Sequence, residues 1–157
     1  ILLWISMETL MKKIVVGCDH AALQLKNTVI RHLEERGCEV TDVGTYTEDS
    51  CDYPDYGYAA AKKVADGDAD AGIVICGTGI GISISANKVK GIRCALCGDL
   101  FSAEMTRRHN DANMLAMGAR VIDEKLALQI VDTFLDTPFE GGRHERRVRK
   151  MMDIENK

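Results

Sequence analysis

No stretch of this sequence is long and apolar enough to cross a membrane. The longest uncharged run, residues 71–87, is interrupted by Gly72, Gly77, Gly79 and Gly81 and by Thr78 and Ser83. The brief apolar segment Ile1 to Ser6 is not expected to be a secretion signal, since it has no basic leader, runs into Glu8 and shows no small-residue cleavage pattern. Positive charge is not in excess. Twenty Lys and Arg face 24 Asp and Glu, a net charge of -4 with a pI near 5.6, which disfavours a general polyanion binder, so that any nucleic-acid role would need a local patch. Six scattered cysteines are too few for a secreted disulfide framework, and internal repeats and low-complexity linkers are lacking. These absences predict a reduced, cytoplasmic protein with no nucleic-acid or membrane partner.

What is present fits one compact unit. A length of 157 residues matches one domain, and 46% hydrophobic residues can fill one ordinary core. Because Met7 and Met11 follow the opening Ile1, residues 1 to 10 are expected to be an upstream or non-native extension, with a single domain over 11 to 157. From Lys12 on, short β-branched runs alternate with helical patterns, and the runs are apolar on successive residues, as in strands buried on both faces. They predict strands at Ile14 to Cys18, Glu39 to Val43, Gly72 to Cys76, Arg93 to Cys97 and Met114 to Val121. The intervening helices are expected at Asp19 to Gly37, Pro54 to Gly67, Gly81 to Val89, Leu100 to Arg108 and Asp123 to Leu135, with a last helix from Arg143 to Ile154. The architecture expected is a three-layer α/β, Rossmann-like fold with a five-stranded parallel sheet and a C-terminal helix.

In such folds ligands bind beyond the carboxyl ends of the strands. There stand Asp19 and His20, Gly44, the loop Gly77 to Gly81, Gly98 and Asp99, and Asp123. The run Cys76-Gly77-Thr78-Gly79-Ile80-Gly81 closes a strand and opens a helix, so its backbone N–H groups can cradle an anion. It is neither a dinucleotide fingerprint, since Ile82 stands where a third glycine belongs, nor a Walker loop. Cys76 stands where a helix N-terminus favours a reactive thiol. Cys18, Cys38, Cys51, Cys94 and Cys97 read as small core residues; Cys94 and Cys97 spell CxxC, but residues three apart on a strand face opposite sides. His109-Asn110-Asp111 is a second polar cluster, whereas His32 reads as a surface residue. In the last helix Arg143, Arg147 and Lys150 share one face, which suits a small phosphate, and Val148, Met151 and Met152 give it an apolar side for docking.

The segments Gly17-Cys18-Asp19-His20-Ala21-Ala22, Asp52-Tyr53-Pro54-Asp55-Tyr56, Cys76 to Gly81 through Ala86-Asn87-Lys88, Arg107 to Asn113 and Gly141-Gly142-Arg143-His144 together resemble the RpiB/LacAB family of sugar-phosphate isomerases. The resemblance covers nearly all of residues 11 to 157. It implies a cofactor-free, metal-free aldose–ketose isomerase of ribose 5-phosphate and ribulose 5-phosphate. It further implies a homodimer or homotetramer in which both subunits line each active site. By the same resemblance Cys76 is the general base, His109 opens the sugar ring and the Thr78 hydroxyl helps move a proton between sugar oxygens. Phosphate contacts fall on His20, Arg120, Arg143, Arg147 and His144, sugar contacts on Asp19, Tyr53 and Asn110, and the cradle on Gly77, Gly79, Ile80 and Gly81. One branch of the family places a glutamate where this chain has Ile82; Cys76 puts this chain in the other. Allose 6-phosphate or galactose 6-phosphate remain alternative substrates. From other classes, a nucleotide-binding signalling module would use the same cradle without chemistry, and a thiol redox role would fall on Cys94 and Cys97.

Overall fold

The computed structural model describes residues 11–157. Five strands, β1 (Lys13–Cys18), β2 (Glu39–Asp42), β3 (Ala71–Cys76), β4 (Cys94–Leu96) and β5 (Met114–Gly118), form one all-parallel sheet in the order β2-β1-β3-β5-β4. Between and after them run α1 (Leu23–Glu35), α2 (Tyr53–Ala65), α3 (Ile80–Asn87), α4 (Leu100–Asn110), α5 (Glu124–Asp136) and α6 (Arg143–Asp153). The α/β, Rossmann-like expectation holds. No helix among the described residues is long and apolar enough to cross a membrane.

The successive apolar residues of the strands separate into two cores. Ile14, Val16, Ile73, Ile75, Leu115 and Met117 meet Leu25, Val29 and Leu33 of α1 and Ile130 and Phe134 of α5. Val15, Val74, Cys76, Met114 and Ala116 meet Ala60 and Ala61 of α2 and Ile82 and Ala86 of α3. Cys76 therefore belongs to the α2–α3 face.

Several elements end earlier or later than the pattern suggests. Asp19 caps a single 3-10 turn, His20–Ala22, by accepting from the Ala21 N–H at 3.0 Å, and α1 proper follows. The fourth predicted strand shrinks to Cys94–Leu96, and β5 stops at Gly118, not Val121. Residues 119–122 turn back, with the Val121 and Ile122 N–H groups donating to the Gly118 carbonyl. Asp99 and Asp123 are N-caps of α4 and α5, accepting from Ser102 and Leu126. His32 is not a surface residue. It lies half-buried, 2.7 Å from an Asp132 carboxylate oxygen, and with Arg36 it ties α1 to α5. Lys26 is the least expected core member: fully buried, its Nζ sits 2.7 Å from Asp42 Oδ1 and 2.6 Å from the Thr45 carbonyl oxygen, pinning the chain after β2 onto α1.

Candidate active site

The β1 and β3 strands lie side by side, yet β1 leads through α1 to β2 on one flank while β3 leads through α3 towards β4 on the other. Connections diverging from neighbouring strands open a crevice at their carboxyl ends. Cys76 closes β3 at that crevice, only 4% exposed, and its Sγ accepts the Gly79 N–H at 3.1 Å. The Gly79 N–H thus fixes the place of the sulfur at the head of the loop.

The loop after Cys76 is held from both sides. Gly79 has φ +78°, and a Cβ there would stand 2.7 Å from the Met117 carbonyl carbon and 2.6 Å from Leu96 Cδ1. A Cβ on Gly81 would enter the Tyr53 ring at 2.5 Å, so the ring lies directly on the loop. The cradle is partly engaged by its own atoms. Gly79 donates to Cys76 and Ile80 donates to Thr78 Oγ1 at 3.2 Å, leaving Gly77, Thr78 and Gly81 as the remaining backbone donors.

From β1, Asp19 is buried at the crevice and its N–H donates to the Ile75 carbonyl. The Cys51 N–H donates to His20 Nδ1 at 3.2 Å, so the neutral ring carries its proton on Nε2, which is left to donate to a ligand. Arg120 closes the set. Its N–H donates to the Gly77 carbonyl at 2.9 Å, its guanidinium lies over Gly77, and among the described residues it has no ion-pair partner. Cys76, Thr78, Asp19, His20, Tyr53 and Arg120 are thus brought together as the motifs imply.

The remaining expected residues are not. Helix α4 leaves the carboxyl end of β4 and returns to the amino edge of the sheet, rising about 15 Å over its 11 residues. At its far end Arg93, from the amino end of β4, donates to the carbonyls of Asn110 and Asp111. His109 and Asn110 therefore stand at the opposite edge from Cys76. There the His109 ring stacks on His144, with centroids 4.1 Å apart and planes 10° from parallel. Arg143 and Arg147 project from α6 beside them, exposed and without an ion pair among the described residues. Burial, helped by His109, Arg143 and Arg147, holds the His144 imidazole below its usual range, against the pull of Glu140. Within one chain the expected constellation is two half-sites at opposite edges of the sheet.

Three of the other thiols are unsuited to chemistry. Burial pushes Cys18 and Cys94 up to about 12 and Cys97 to about 11. Cys94 packs towards the α2–α3 core and Cys97 towards the α1–α5 core, so the sheet separates the CxxC pair. Two functional neighbours escaped the sequence reading. Cys51 orients His20 from a loop without periodicity, and Glu140, between Pro138 and Gly141, reaches to within 4 Å of both stacked histidines.

Known proteins resemble this chain over most of its length. A family model described as Ribose/Galactose Isomerase matches residues 14–151. The chain is 50% identical over 147 residues to ribose-5-phosphate isomerase B of Escherichia coli (strain K12), covering 94% of this chain and 99% of that protein. Ribose-5-phosphate isomerase B of Clostridium thermocellum superposes with a TM-score of 0.91 at 53% identity, covering 92% of this chain and 97% of that one. The Mycoplasma genitalium enzyme, solved with bound ribulose-5-phosphate, gives 0.88 at 40% identity over 92% and 97% of the two chains. With a matching model across residues 14–151 and relatives near half identity over almost the whole length, the chain belongs to the ribose/galactose isomerase family.

Proposed function

We propose that this protein interconverts D-ribose 5-phosphate and D-ribulose 5-phosphate, with each active site assembled from two subunits. The observation that carries the reading is the buried Cys76 thiol, held by the Gly79 N–H at the β1–β3 crevice. Moving a carbonyl between C1 and C2 requires a base for a weakly acidic C–H and donors for the enediolate oxygen that appears. Cys76 removes the proton from C2 of the open-chain aldose and returns it to C1 of the cis-enediolate. The Thr78 hydroxyl passes a proton between O1 and O2, and the free amides of the loop stabilise the developing charge. Asp19 and Tyr53 frame the sugar. His20 and Arg120 hold the phosphate, converting remote binding energy into alignment of the reacting carbons.

His109, Asn110, Arg143, His144 and Arg147 complete the site from a second subunit. His109 delivers a proton to the ring oxygen as the furanose opens, Asn110 contacts the sugar, and the arginines and His144 close on the phosphate. An exposed apolar patch supports this assembly: Ile80 and Ile84 of α3, Leu96 of β4, and Leu100 and Phe101 of α4 border the thiol loop. A two-fold contact over such a patch carries one chain's histidine edge towards its partner's thiol edge. Six free cysteines suit a reducing cytoplasm. A coupled assay of the purified protein on ribose 5-phosphate, allose 6-phosphate and galactose 6-phosphate tests the reading. Turnover led by ribose 5-phosphate is expected; turnover of a six-carbon sugar alone, or of none, overturns it.

A further inference from the structure

The histidine edge contains more than sugar chemistry needs. Glu140 Oε2 lies 3.9 Å from His109 Nε2 and Glu140 Oε1 lies 3.7 Å from His144 Nε2, and the three donor groups all fall within 4.8 Å of one another. His144 is only 5% exposed, and its Nε2 is buried with no hydrogen-bond partner among the described residues. A polar atom left this way costs the free energy of a missing hydrogen bond, and a native structure keeps few of them. Here it faces a carboxylate and a second imidazole nitrogen. Two imidazoles and one carboxylate form the three-ligand set of zinc sites that keep a fourth position open.

The distances allow closure. With bonds of about 2.0–2.1 Å, donors around a tetrahedral zinc stand about 3.3 Å apart, so each nitrogen–oxygen pair must approach by roughly half an ångström. The exposed Glu140 supplies that movement, while the 38%-exposed His109 ring also has to turn out of its parallel stack so that its Nε2 lone pair converges with that of buried His144, which stays as anchor. Arg143 and Arg147 oppose a cation nearby, which sets this site apart from closed structural zinc sites and makes its occupancy reversible.

We propose that His109, Glu140 and His144 bind a divalent transition metal, zinc foremost, and that its binding reversibly inhibits the enzyme by sequestering His109. The inhibitory consequence rests on the isomerase reading; the metal site itself does not. Calorimetry with zinc chloride, visible absorption of the cobalt(II) form and zinc titration of isomerase activity test it on the full chain. One zinc per chain is expected, with cobalt bands free of thiolate charge transfer. In Glu140→Gln, zinc affinity and inhibition should both weaken at least about tenfold, with inhibition read relative to that variant's own metal-free turnover. Absence of zinc uptake up to about 1 mM, uptake and inhibition indifferent to Glu140→Gln, or a thiolate band placing the metal on a cysteine overturns the proposal. Zinc uptake that depends on Glu140 in a protein inactive on every sugar phosphate sustains the metal site and removes only the isomerase reading.

Discussion

Gly79 gives its backbone N–H to the Cys76 sulfur across 3.1 Å, and so the residue that shapes the loop also steadies the thiol. Removing the sulfur should abolish isomerisation without abolishing recognition. Cys76→Ala is expected to lower kcat by about 10³-fold or more, within the range for general acid–base groups, while calorimetry still shows ribulose 5-phosphate binding. Near-normal turnover would assign the base elsewhere.

Half-sites at opposite edges of one sheet predict complementation. A Cys76→Ala dimer and a His109→Ala dimer each lack a complete site, but a mixed dimer contains one site with both changes and one with neither. Unfolding and refolding an equal mixture should restore about a quarter of wild-type activity, because half the dimers are mixed and each has one intact site of two. If the mixture stays as inactive as its parents, His109 does not act across subunits. His109→Ala alone should spare the open-chain ulose more than the furanose.

Gly79 tolerates no side chain. Alanine there meets a positive φ together with backbone and side-chain atoms closer than 3.0 Å, so Gly79→Ala should cost about 1–3 kcal/mol and displace the sulfur's donor. Thermal unfolding and kcat should fall together. A variant with unchanged Tm and activity would mean that the loop rearranges at no cost.

The Lys26 ammonium binds Asp42 and the Thr45 carbonyl, anchoring the loop that runs on to Cys51 and so to His20. Lys26→Met leaves the Asp42 carboxylate without its cationic partner, the Gly44 N–H still donating to its Oδ1 at 2.9 Å. Because Asp42 is 31% exposed, the loss should sit near the lower end of the buried-pair range, about 3 kcal/mol in denaturant unfolding. With His20 less well oriented, KM for the phosphate substrate should rise more than kcat falls. Unchanged stability and KM would detach the loop from the site.

His144 links stability to acidity. Its folded-state value lies below the ordinary 6.5, so the neutral ring is favoured by folding. That contribution is complete above pH 6.5 and is lost as pH falls below it towards the folded value. Tm should therefore decline as the solution is acidified below pH 6.5, and His144→Asn should flatten that decline. Parallel curves for the two proteins would refute the linkage.

The parts readable from sequence are those written in local periodicity. Strands apolar on successive residues, the stripe Leu25, Val29 and Leu33, and the glycines after Cys76 each encode their own geometry. What stayed hidden depends on distant pairings. Lys26 on a helix looks like a solvated charge until Asp42 comes beneath it, and His32 looks exposed until Asp132 arrives from 100 residues away. Likewise, nothing in the spacing of Cys76 and His109 says that a returning helix separates them; only the direction of α4 across the sheet does.

If the site is shared between two subunits as proposed, that return of α4 makes solitude and activity incompatible. A lone polypeptide has the sulfur at one pole and the imidazole at the other, so diluting the enzyme below the concentration at which its subunits part should silence it without unfolding it. Synthesis level would then set not merely how much catalyst a cell holds but what fraction of it works.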